Sequence, residues 1–435
     1  MENRNGLSLL FNYKQTSNYG FNVILGALDA YLDSPNLKTQ IVHKSDELVA
    51  AARDALDQGR KVVVCWSFYS PQFPERTREL LEFKRVVSDE NVIHLAGGVH
   101  ATADPRQTLE AGFDVVAVGE GESVVIEFVK RFLHDESYLK TKGISYLDDG
   151  RYVAQGSGDR IDLNDYPPFT VKHRRFNPIE ITRGCIYACK FCQTPFMFKA
   201  IFRHRTVENV CEYVKVMKEH GLTDIRFITP TSLSYGSPDH SVNLDKIDEL
   251  LFSIRSVLGT KGRIFFGTFP SEVRPEHVSR EALEILKRYV NNNNLIIGGQ
   301  SGSQRILDFS KRGHTVEEII RSVRLSVEAG FLPNVDFIFG MPGENVSDVK
   351  ASLRLAEKLS DMGARIHGHT FLPLPGTPFR NAPPGKIDAR SMRQLQRLQS
   401  RGKLYGKWEE QESIAEELSQ VSKTSRKSRE WSPTN

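Results

Sequence analysis

Three cysteines lie within eight residues of this chain, at Cys185, Cys189 and Cys192, in the spacing C-x3-C-x2-C. Thiolates this close in sequence can converge on one metal centre. A cubane iron–sulfur cluster is normally held by four thiolates, and no fourth cysteine lies nearby. The run therefore predicts a cluster with one open iron, which is free to bind a substrate or a cofactor.

Two other interpretations of the three cysteines stay open. One is structural zinc, although such sites are closed and four-coordinate, and neither a second C-x2-C pair nor an H-x3-5-H motif follows here. The other is a simple apolar core. The context favours the cluster, because a predicted strand from Pro178 to Ile181 leads into the cysteine loop. The carboxyl ends of strands are where α/β folds place their chemistry.

The cysteine spacing, with Phe191 before the last cysteine, resembles the signature of the radical S-adenosylmethionine (SAM) superfamily. This resemblance implies that the three cysteines ligate a [4Fe-4S] cluster, while the amino and carboxylate groups of SAM chelate the fourth iron. It implies reductive release of a 5′-deoxyadenosyl radical. Residues 339–344 are also close to the GxPGE pattern of the family. Polar or glycine residues at later strand ends are then implied to contact SAM, namely Thr229, Ser271, Glu272, Gln300, Ser301 and Gly340.

Composition is ordinary for a soluble globular protein of two or three domains, with 435 residues, 39% of them hydrophobic and 26% charged. The net charge of +4 is small, and basic residues alternate with acidic ones, which disfavours a nucleic-acid partner. The sequence has no apolar run of membrane-spanning length and no signal-peptide pattern, so we expect a cytoplasmic protein without a membrane partner. Cys65 and Cys211 indicate no disulfide framework, and Cys211 is predicted to be core.

The first part of the chain alternates strand-length apolar runs with amphipathic helical patterns. This alternation predicts a five-stranded, doubly wound parallel sheet. The predicted strands are Leu7–Asn12, Gln40–His43, Lys61–Trp66, Asn91–Ala96 and Asp114–Val118. Ligands of such sheets lie beyond the carboxyl ends of the strands. Glycines there let a large ligand approach the backbone closely, but paired glycines also simply make tight βα turns.

This domain contains the motifs GGVHAT at residues 97–102 and VGEGE at residues 118–122. In these motifs it resembles the cobalamin-binding module found upstream of many radical SAM cores. The resemblance implies that cobalamin contacts the strand-end residues Ser67, Gly97, Gly98, Gly119, Glu120 and Gly121. An Asp-x-His-x-x-Gly motif is absent from residues 12–20. A related subset lacks it too, which implies no protein imidazole below cobalt. His100 is not assigned to cobalt, because a loop histidine is more often hydrogen-bonded structure.

From Pro178 a second alternation of six strand patterns with helical patterns predicts a partial (βα)6 TIM-like barrel. The predicted fold is therefore α/β throughout, with a helical C-terminal extension. The predicted organisation is a cobalamin-binding Rossmann-like domain at 1–140, a hairpin and linker at 141–177, a radical SAM core at 178–385, helices at 386–418 and a disordered tail at 419–435.

Together the two resemblances predict a cobalamin-dependent radical SAM methyltransferase. It would methylate an unactivated carbon of a small molecule, a peptide or a protein side chain, using methylcobalamin as the methyl donor and ferredoxin or flavodoxin as the electron donor. No catalytic residue is assigned. A radical enzyme that forms or rearranges rings without methyl transfer stays open, as does a non-catalytic iron–sulfur or cobalamin sensor. Methylthiolation of tRNA is disfavoured, because that group carries three further cysteines and a basic RNA-binding barrel.

Overall fold

The computed structural model describes residues 6–424 and divides into two units between Asn177 and Pro178. In the first unit, the central strands are apolar runs that are buried on both faces, as parallel strands under two helix layers must be. All six residues of β1 are buried. The strands are β1 Leu7–Asn12, β2 Leu37–Val42, β3 Lys61–Ser67, β4 Val92–Gly97, β5 Val115–Ala117, β6 Ile144–Asp148 and β7 Arg151–Ala154.

The sheet of the first unit has the order β2-β1-β3-β4-β5-β6-β7, in which the first five strands are parallel and the last two antiparallel. The order 2-1-3-4-5 is that of a doubly wound fold, which confirms the predicted fold class. The predicted hairpin forms β6 and β7 at one edge. The helices of this unit are α1 Asn18–Tyr31, α2 Ser45–Asp57, α3 Phe73–Val86, α4 Gly98–Ala103, α5 Pro105–Glu110 and α6 Gly121–Leu133.

The segment from residue 156 to residue 177, which the sequence predicted as part of a linker, packs on the first unit. Asn177 receives a 2.8 Å hydrogen bond from Asn22 of α1. The Thr170 hydroxyl donates to Asp29 at 2.6 Å, and His173 lies 3.3 Å from the Thr39 hydroxyl. These polar contacts were invisible in the sequence because their partners lie more than 130 positions away.

The second unit repeats a strand–helix alternation. Its strands are β8 Ile179–Glu180, β9 Thr182–Arg183, β10 Arg203–His204, β11 Asp224–Ile228, β12 Arg263–Phe265, β13 Asn294–Gln300, β14 Leu332–Phe339, β15 Arg365–Thr370 and β16 Leu404–Tyr405. Its helices are α7 Thr194–Met197, α8 Val207–Glu219, α9 Leu244–Leu258, α10 Arg280–Tyr289, α11 Gln304–Phe309, α12 Val316–Glu328, α13 Val346–Asp361, α14 Ala389–Ser400 and α15 Trp408–Thr424. Side-chain caps fix several helix starts, for example Thr315 with Glu318 before α12.

Strands β8, β11 and β12 form one parallel sheet, and β13, β14, β15 and β16 form another. A backbone hydrogen bond of 2.9 Å from Ile296 to Gly267 and a parallel bridge between Val273 and Ile297 connect the edge of one sheet to the other. The result is a partial barrel of six parallel strands in chain order, as predicted, which β16 extends by one short strand. Strands β9 and β10 pair separately.

Two C-terminal predictions need correction. The extension contains the strand β16 as well as helices, and α15 runs to Thr424, past the predicted end of helical structure at residue 418. The rest of the predicted tail, residues 425–435, lies outside the described residues. Within residues 6–424, no helix combines the length and apolar character that a membrane crossing requires.

Candidate functional site

The three clustered cysteines lie on the loop that follows β9 in the second unit. Gly184 enters this loop at φ 84°, a left-handed conformation that favours glycine. The loop is fastened by backbone hydrogen bonds from Cys192 to Cys189 at 3.1 Å and from Lys190 to Ser310 at 3.0 Å. The loop thus holds the cysteines at the carboxyl end of the barrel strands, where the sequence predicted them.

All three thiols of the loop are at least half-buried. Cys189 is buried and the other two are half-buried. Burial raises the pKa of Cys185 to about 12 and also raises the pKa of Cys192, so as free thiols both stay protonated. Coordination to metal would deprotonate them.

The spacing of the sulfur atoms also bears on the zinc alternative. Thiolates on one tetrahedral zinc ion lie roughly 4 Å apart, because each Zn–S bond is about 2.3 Å long. Among the residues that the structure describes, the ligand atoms of one other trio lie within 4.8 Å of one another, and the three sulfurs do not form such a group. At least one sulfur–sulfur distance in the structure therefore exceeds 4.8 Å, which is longer than the distance between two thiolates on one tetrahedral zinc ion.

A buried arginine lies against the cysteine loop. Arg312 Nη1 is 3.6 Å from Cys189 Sγ, and Arg312 Nη2 donates to the Gly298 carbonyl at 2.8 Å. Burial by itself lowers the pKa of this guanidinium, but Cys189, Glu272 and Glu276 raise it above its ordinary value, so Arg312 stays charged. The site therefore holds a fixed positive charge beside one cluster ligand.

The aromatic residue inside the loop has its own buried partners. The Tyr187 hydroxyl lies 2.8 Å from His277 Nε2, and the Arg274 guanidinium lies 3.4 Å from the centre of the Tyr187 ring. Burial raises the pKa of Tyr187 to about 12 and lowers that of His277 to about 4. Both groups are thus neutral near pH 7.

Next to the loop lies a cavity of about 290 Å³. Its wall combines the predicted aromatic Phe191 and further apolar side chains with polar groups from several strand ends. Its lining residues are Phe191, Glu272, Gln300, Asp336, Ile338, His369, Thr370, Phe371, Leu372, Leu374 and Gln411. A mostly apolar cavity with a few converging polar groups is the usual form of a small-molecule site.

Glu272 and Gln300, both predicted to contact SAM, meet in this cavity. Gln300 has φ 69° at an irregularity of β13, a strained conformation of the kind that clusters at functional sites. A methyl group on Gly298 would first meet the Arg312 guanidinium, and it would also meet Gln300 Nε2 at 2.9 Å and Glu272 Oε2 at 3.1 Å. The missing side chain at residue 298 therefore leaves room for the two polar groups to converge, which fits a polar cofactor such as SAM.

The other four residues predicted to contact SAM do not line the cavity. Each has a hydrogen-bond partner within the protein. The hydroxyls of Thr229 and Ser271 donate to the carbonyls of Thr231 and Phe227, and Ser301 lies 3.3 Å from Ser352. Gly340 has φ 74° and donates its N–H to Glu344 at 2.7 Å. In the structure, these positions shape the strand ends that carry the site.

A cluster of one aspartate and two histidines at the cavity wall was not predicted from the sequence. Asp336 of β14 accepts a 2.9 Å hydrogen bond from His367 Nδ1, and His369 Nε2 lies 3.9 Å from the same carboxylate oxygen. Burial by itself raises the pKa of Asp336, but the hydrogen bond from His367 and the nearby His369 ring bring it below its ordinary value. The i, i+2 spacing of the histidines, which puts both on one face of β15, was a usable signal.

The protons of this group follow from its neighbour Gln411. The Thr370 N–H donates to Gln411 Oε1 at 2.8 Å, which orients the amide nitrogen toward His369 Nδ1 at 3.3 Å. His369 Nδ1 is then an acceptor, and its proton lies on Nε2, facing Asp336. The ligand atoms of Asp336, His367 and His369 are close enough together to hold a cation. However, both histidines direct an N–H group, and not a lone pair, toward Asp336.

In the first unit, the residues predicted to contact cobalamin lie at the carboxyl ends of three adjacent strands. Ser67 ends β3 and Gly97 ends β4, while Gly119 and Glu120 follow β5. Gly98, predicted as part of a loop, instead begins helix α4. The strand ends meet at one edge of the sheet, which is where a ligand of this fold lies.

Several of the glycines at this edge have a packing role within the chain. A side chain on Gly98 would meet Ser67 and Phe68, one on Gly119 would meet Ser157, and one on Gly121 would meet Ile24, all within 3.1 Å. The packing of the chain itself therefore excludes a side chain at these positions. At Gly97, by contrast, the nearest atoms to a built Cβ are 4.0 Å away. Of these glycines, Gly97 leaves open space beyond the strand end.

His100 is an internal structural residue. Its ring stacks on Phe73 with 4.1 Å between ring centres, and its Nδ1 lies 3.1 Å from the Ser70 hydroxyl. Burial lowers its pKa to about 3. Cys211 of α8, predicted as core, is only half-buried.

Comparison with known proteins relates part of the second unit to a superfamily. Residues 179–356 match the family model of the radical SAM superfamily, and this match implies a [4Fe-4S] cluster and SAM as cofactors. The chain shares its fold with the radical SAM methyltransferase TsrM from Kitasatospora setae, whose structure contains cobalamin and a [4Fe-4S] cluster. That similarity has a TM-score of 0.66 at 17% identity, over 87% of this chain and 77% of TsrM. The predicted family resemblance is confirmed.

Curated relatives include a provisionally named methylthiotransferase of Methanocaldococcus jannaschii, 30% identical over 297 residues, which are 66% of this chain and 62% of that protein. The anaerobic magnesium-protoporphyrin IX monomethyl ester cyclase of Cereibacter sphaeroides is 27% identical over 286 residues, 61% of this chain and 44% of the cyclase. The chain thus spans less than two thirds of the length of these relatives.

Proposed function

We propose that this chain is a cobalamin-dependent radical SAM methyltransferase that methylates an unactivated carbon of a small-molecule, peptide or protein substrate. The observation that carries the proposal is the pairing of a doubly wound unit with a barrel unit that bears the cysteine loop. TsrM, a radical SAM methyltransferase solved with cobalamin, has the same fold. An electron donor of the ferredoxin or flavodoxin class and a cytoplasmic location belong to the proposal.

When bound, the cofactors supply an electron for SAM cleavage, a radical that removes hydrogen from carbon, and methylcobalamin as methyl donor. The protein holds and orients these groups. In the second unit, Cys185, Cys189 and Cys192 would hold the cluster, and Glu272 and Gln300 would orient SAM in the adjoining cavity. The apolar side chains of the same cavity would limit the contact of a carbon radical with water, which reduces side reactions.

In the first unit, the edge at Ser67, Gly97 and Glu120 would hold cobalamin. His100 is turned into the core against Phe73, and its Nδ1 is engaged by Ser70. It therefore does not serve as a cobalt ligand in this arrangement, which agrees with the absence of the histidine motif.

Two other functions have some support. Similarity to a cyclase supports a radical ring-forming reaction without methyl transfer. Similarity to a provisionally named methylthiotransferase supports sulfur insertion. Against the second, the sequence has five cysteines in all, and the two outside the cluster loop belong to different units, on β3 and α8. Two such cysteines do not provide the three further ligands of that group.

One experiment separates these functions without a known substrate. Anaerobically reconstituted protein is reduced with titanium(III) citrate in the presence of cobalamin and SAM labelled with deuterium in its methyl group. We expect labelled methylcobalamin and 5′-deoxyadenosine. Formation of 5′-deoxyadenosine without labelled methylcobalamin would support a reaction without methyl transfer, and the absence of both products would support a sensor.

A further inference from the structure

Arg312 is a buried cation whose Nη1 lies 3.6 Å from the sulfur of Cys189, one of the three proposed cluster ligands. It lies between α11 and α12, and its side chain is only 5% exposed. Its guanidinium has two orienting contacts besides Cys189, a 2.8 Å hydrogen bond to the Gly298 carbonyl and a 3.7 Å ion pair with Glu272. The backbone carbonyl of Arg312 also accepts a hydrogen bond from Arg274. The guanidinium is therefore held in one position.

A second buried arginine allows a comparison of charges. Arg274 lies 2.5 Å from Glu276 Oε1, so a carboxylate neutralises its charge at close range. The Glu272 carboxylate lies farther from Arg312, at 3.7 Å, beyond hydrogen-bond distance. Of these two cations, Arg312 is the less neutralised and lies nearer to a cluster sulfur. Its charge is permanent, because guanidinium does not deprotonate in proteins.

We propose that Arg312 is a positioning residue that sets the reduction potential of the cluster by donating an N–H···S hydrogen bond to Cys189. The inference rests on the cluster of the proposed function. In the step concerned, the cluster gains one electron and a one-electron donor is oxidised, while no bond forms and no proton moves. The added negative charge spreads over the cluster and its thiolates. A fixed cation and a hydrogen bond at one thiolate stabilise the reduced state and raise the potential.

The test is a potentiometric titration of the reconstituted holoenzyme without SAM, with titanium(III) citrate as reductant and the electron paramagnetic resonance signal of the reduced cluster as readout. Arg312→Gln removes the charge. We expect the ratio of reduced to oxidised cluster at a fixed potential to fall at least about tenfold, which for one electron is a midpoint lower by about 59 mV. Arg312→Lys keeps the charge and should shift the midpoint much less.

Arg288→Gln is the matched control. Arg288 lies on α10, is 58% exposed and pairs with Asp248, so its removal changes the net charge equally but far from any cysteine contact in the structure. It should leave the midpoint unchanged. Equal shifts in Arg288→Gln and Arg312→Gln would indicate a general charge effect and overturn the inference.

A second measurement covers the case in which Arg312→Gln does not retain its cluster. Wild-type protein labelled with ¹⁵N in the arginine side chains should show ¹⁵N coupling to the reduced cluster, because Arg312 Nη1 lies 3.6 Å from Cys189 Sγ. Absence of that coupling, or an unshifted midpoint in an iron-replete Arg312→Gln protein, overturns this inference alone. Wild-type protein that assembles no cluster overturns the proposed function with it.

Discussion

The Tyr187 hydroxyl lies 2.8 Å from His277 Nε2, and both side chains are buried. This hydrogen bond ties the middle of the cysteine loop, between Cys185 and Cys189, to the segment before α10. The Arg274 guanidinium over the Tyr187 ring adds a cation–π contact. The loop that would carry the cluster is therefore positioned by side chains inside the fold as well as by its backbone.

Removal of this one hydroxyl should destabilise the second unit. Tyr187→Phe keeps the ring and its contact with Arg274 but leaves His277 Nε2 buried without its hydrogen-bond partner, which costs about 1–3 kcal/mol. Denaturant unfolding of the anaerobic protein measures the change. Iron content should stay at the wild-type level, because the cysteines are unchanged. A variant as stable as wild type would show that the hydrogen bond does not hold the loop.

The cysteines can be tested one by one. Replacement of Cys185, Cys189 or Cys192 by Ala should lower iron from about four atoms per chain and abolish 5′-deoxyadenosine formation, because each thiolate would hold its own iron. Cys211→Ala is the control, since Cys211 lies half-buried on α8. Iron analysis and absorbance after reconstitution measure the result. Loss of the cluster in Cys211→Ala would mean that the ligands are wrongly assigned.

The sequence predicted most of the framework because buried parallel strands are continuous apolar runs. The predicted bounds of β1, Leu7–Asn12, are those of the structure. The cysteine loop was also predictable, since its spacing is local. Arg312 was not, because 123 positions separate it from Cys189 and only the barrel brings them together.

The roles of two neighbouring glycines could not be predicted from the sequence. Gly97 and Gly98 are neighbours, yet a Cβ at Gly98 would meet Ser67 and Phe68 whereas one at Gly97 would meet open space. Which of two adjacent glycines serves packing depends on atoms from another strand. No pattern in the sequence carries that information.

The close packing around Gly298 allows a test of the proposed SAM-binding cavity. Gly298→Ala should weaken SAM binding at least about tenfold, because its methyl group would displace Arg312 as well as Gln300 and Glu272, and each tenfold loss is about 1.4 kcal/mol. The cluster should remain, because the cysteines lie on another loop. Equilibrium dialysis with labelled SAM measures the affinity, with iron content as the control. Unchanged affinity would place SAM away from these two residues.

His94 should make the first unit sensitive to acid. Trp66 Nε1 donates to His94 Nδ1 at 3.2 Å, and burial lowers the histidine pKa to about 4, with Asp114 opposing and Lys84 reinforcing the shift. The unfolded chain, with a pKa near 6.5, takes up the proton first as the pH falls. This contribution is therefore full above pH 6.5 and is lost toward pH 4, up to about 3 kcal/mol.

His94→Gln measures that contribution. Glutamine cannot gain a proton in this range, so the variant should lose less unfolding free energy than wild type between pH 7 and pH 4.5, even if it is less stable at pH 7. Other buried histidines, such as His100, contribute equally to the unfolding free energy of both proteins, so their contributions cancel in the comparison. Parallel pH profiles for the two proteins would show that His94 does not titrate on unfolding.

Gly97 and Gly98 form a matched pair for the proposed cobalamin site. Gly97 has an extended backbone and open space around its missing side chain. Gly97→Val should therefore fold and keep its iron, but lose cobalamin if the corrin occupies that space. Gly98 has φ 89°, and a side chain there would also meet Ser67 and Phe68. Gly98→Val should accordingly lower the unfolding midpoint itself, because the strain acts on the fold rather than on a ligand.

The lower ligand of cobalt completes that test. Bound cob(II)alamin should show no nitrogen splitting in its electron paramagnetic resonance spectrum, because His100 is held inside by Phe73 and Ser70. His100→Ala should destabilise the first unit but leave that spectrum unchanged. Nitrogen triplets that disappear in His100→Ala would establish His100 as the ligand. A wild-type protein with a full cluster and no bound cobalamin, or a Gly97→Val protein that binds cobalamin normally, would contradict the proposed site at this edge of the sheet.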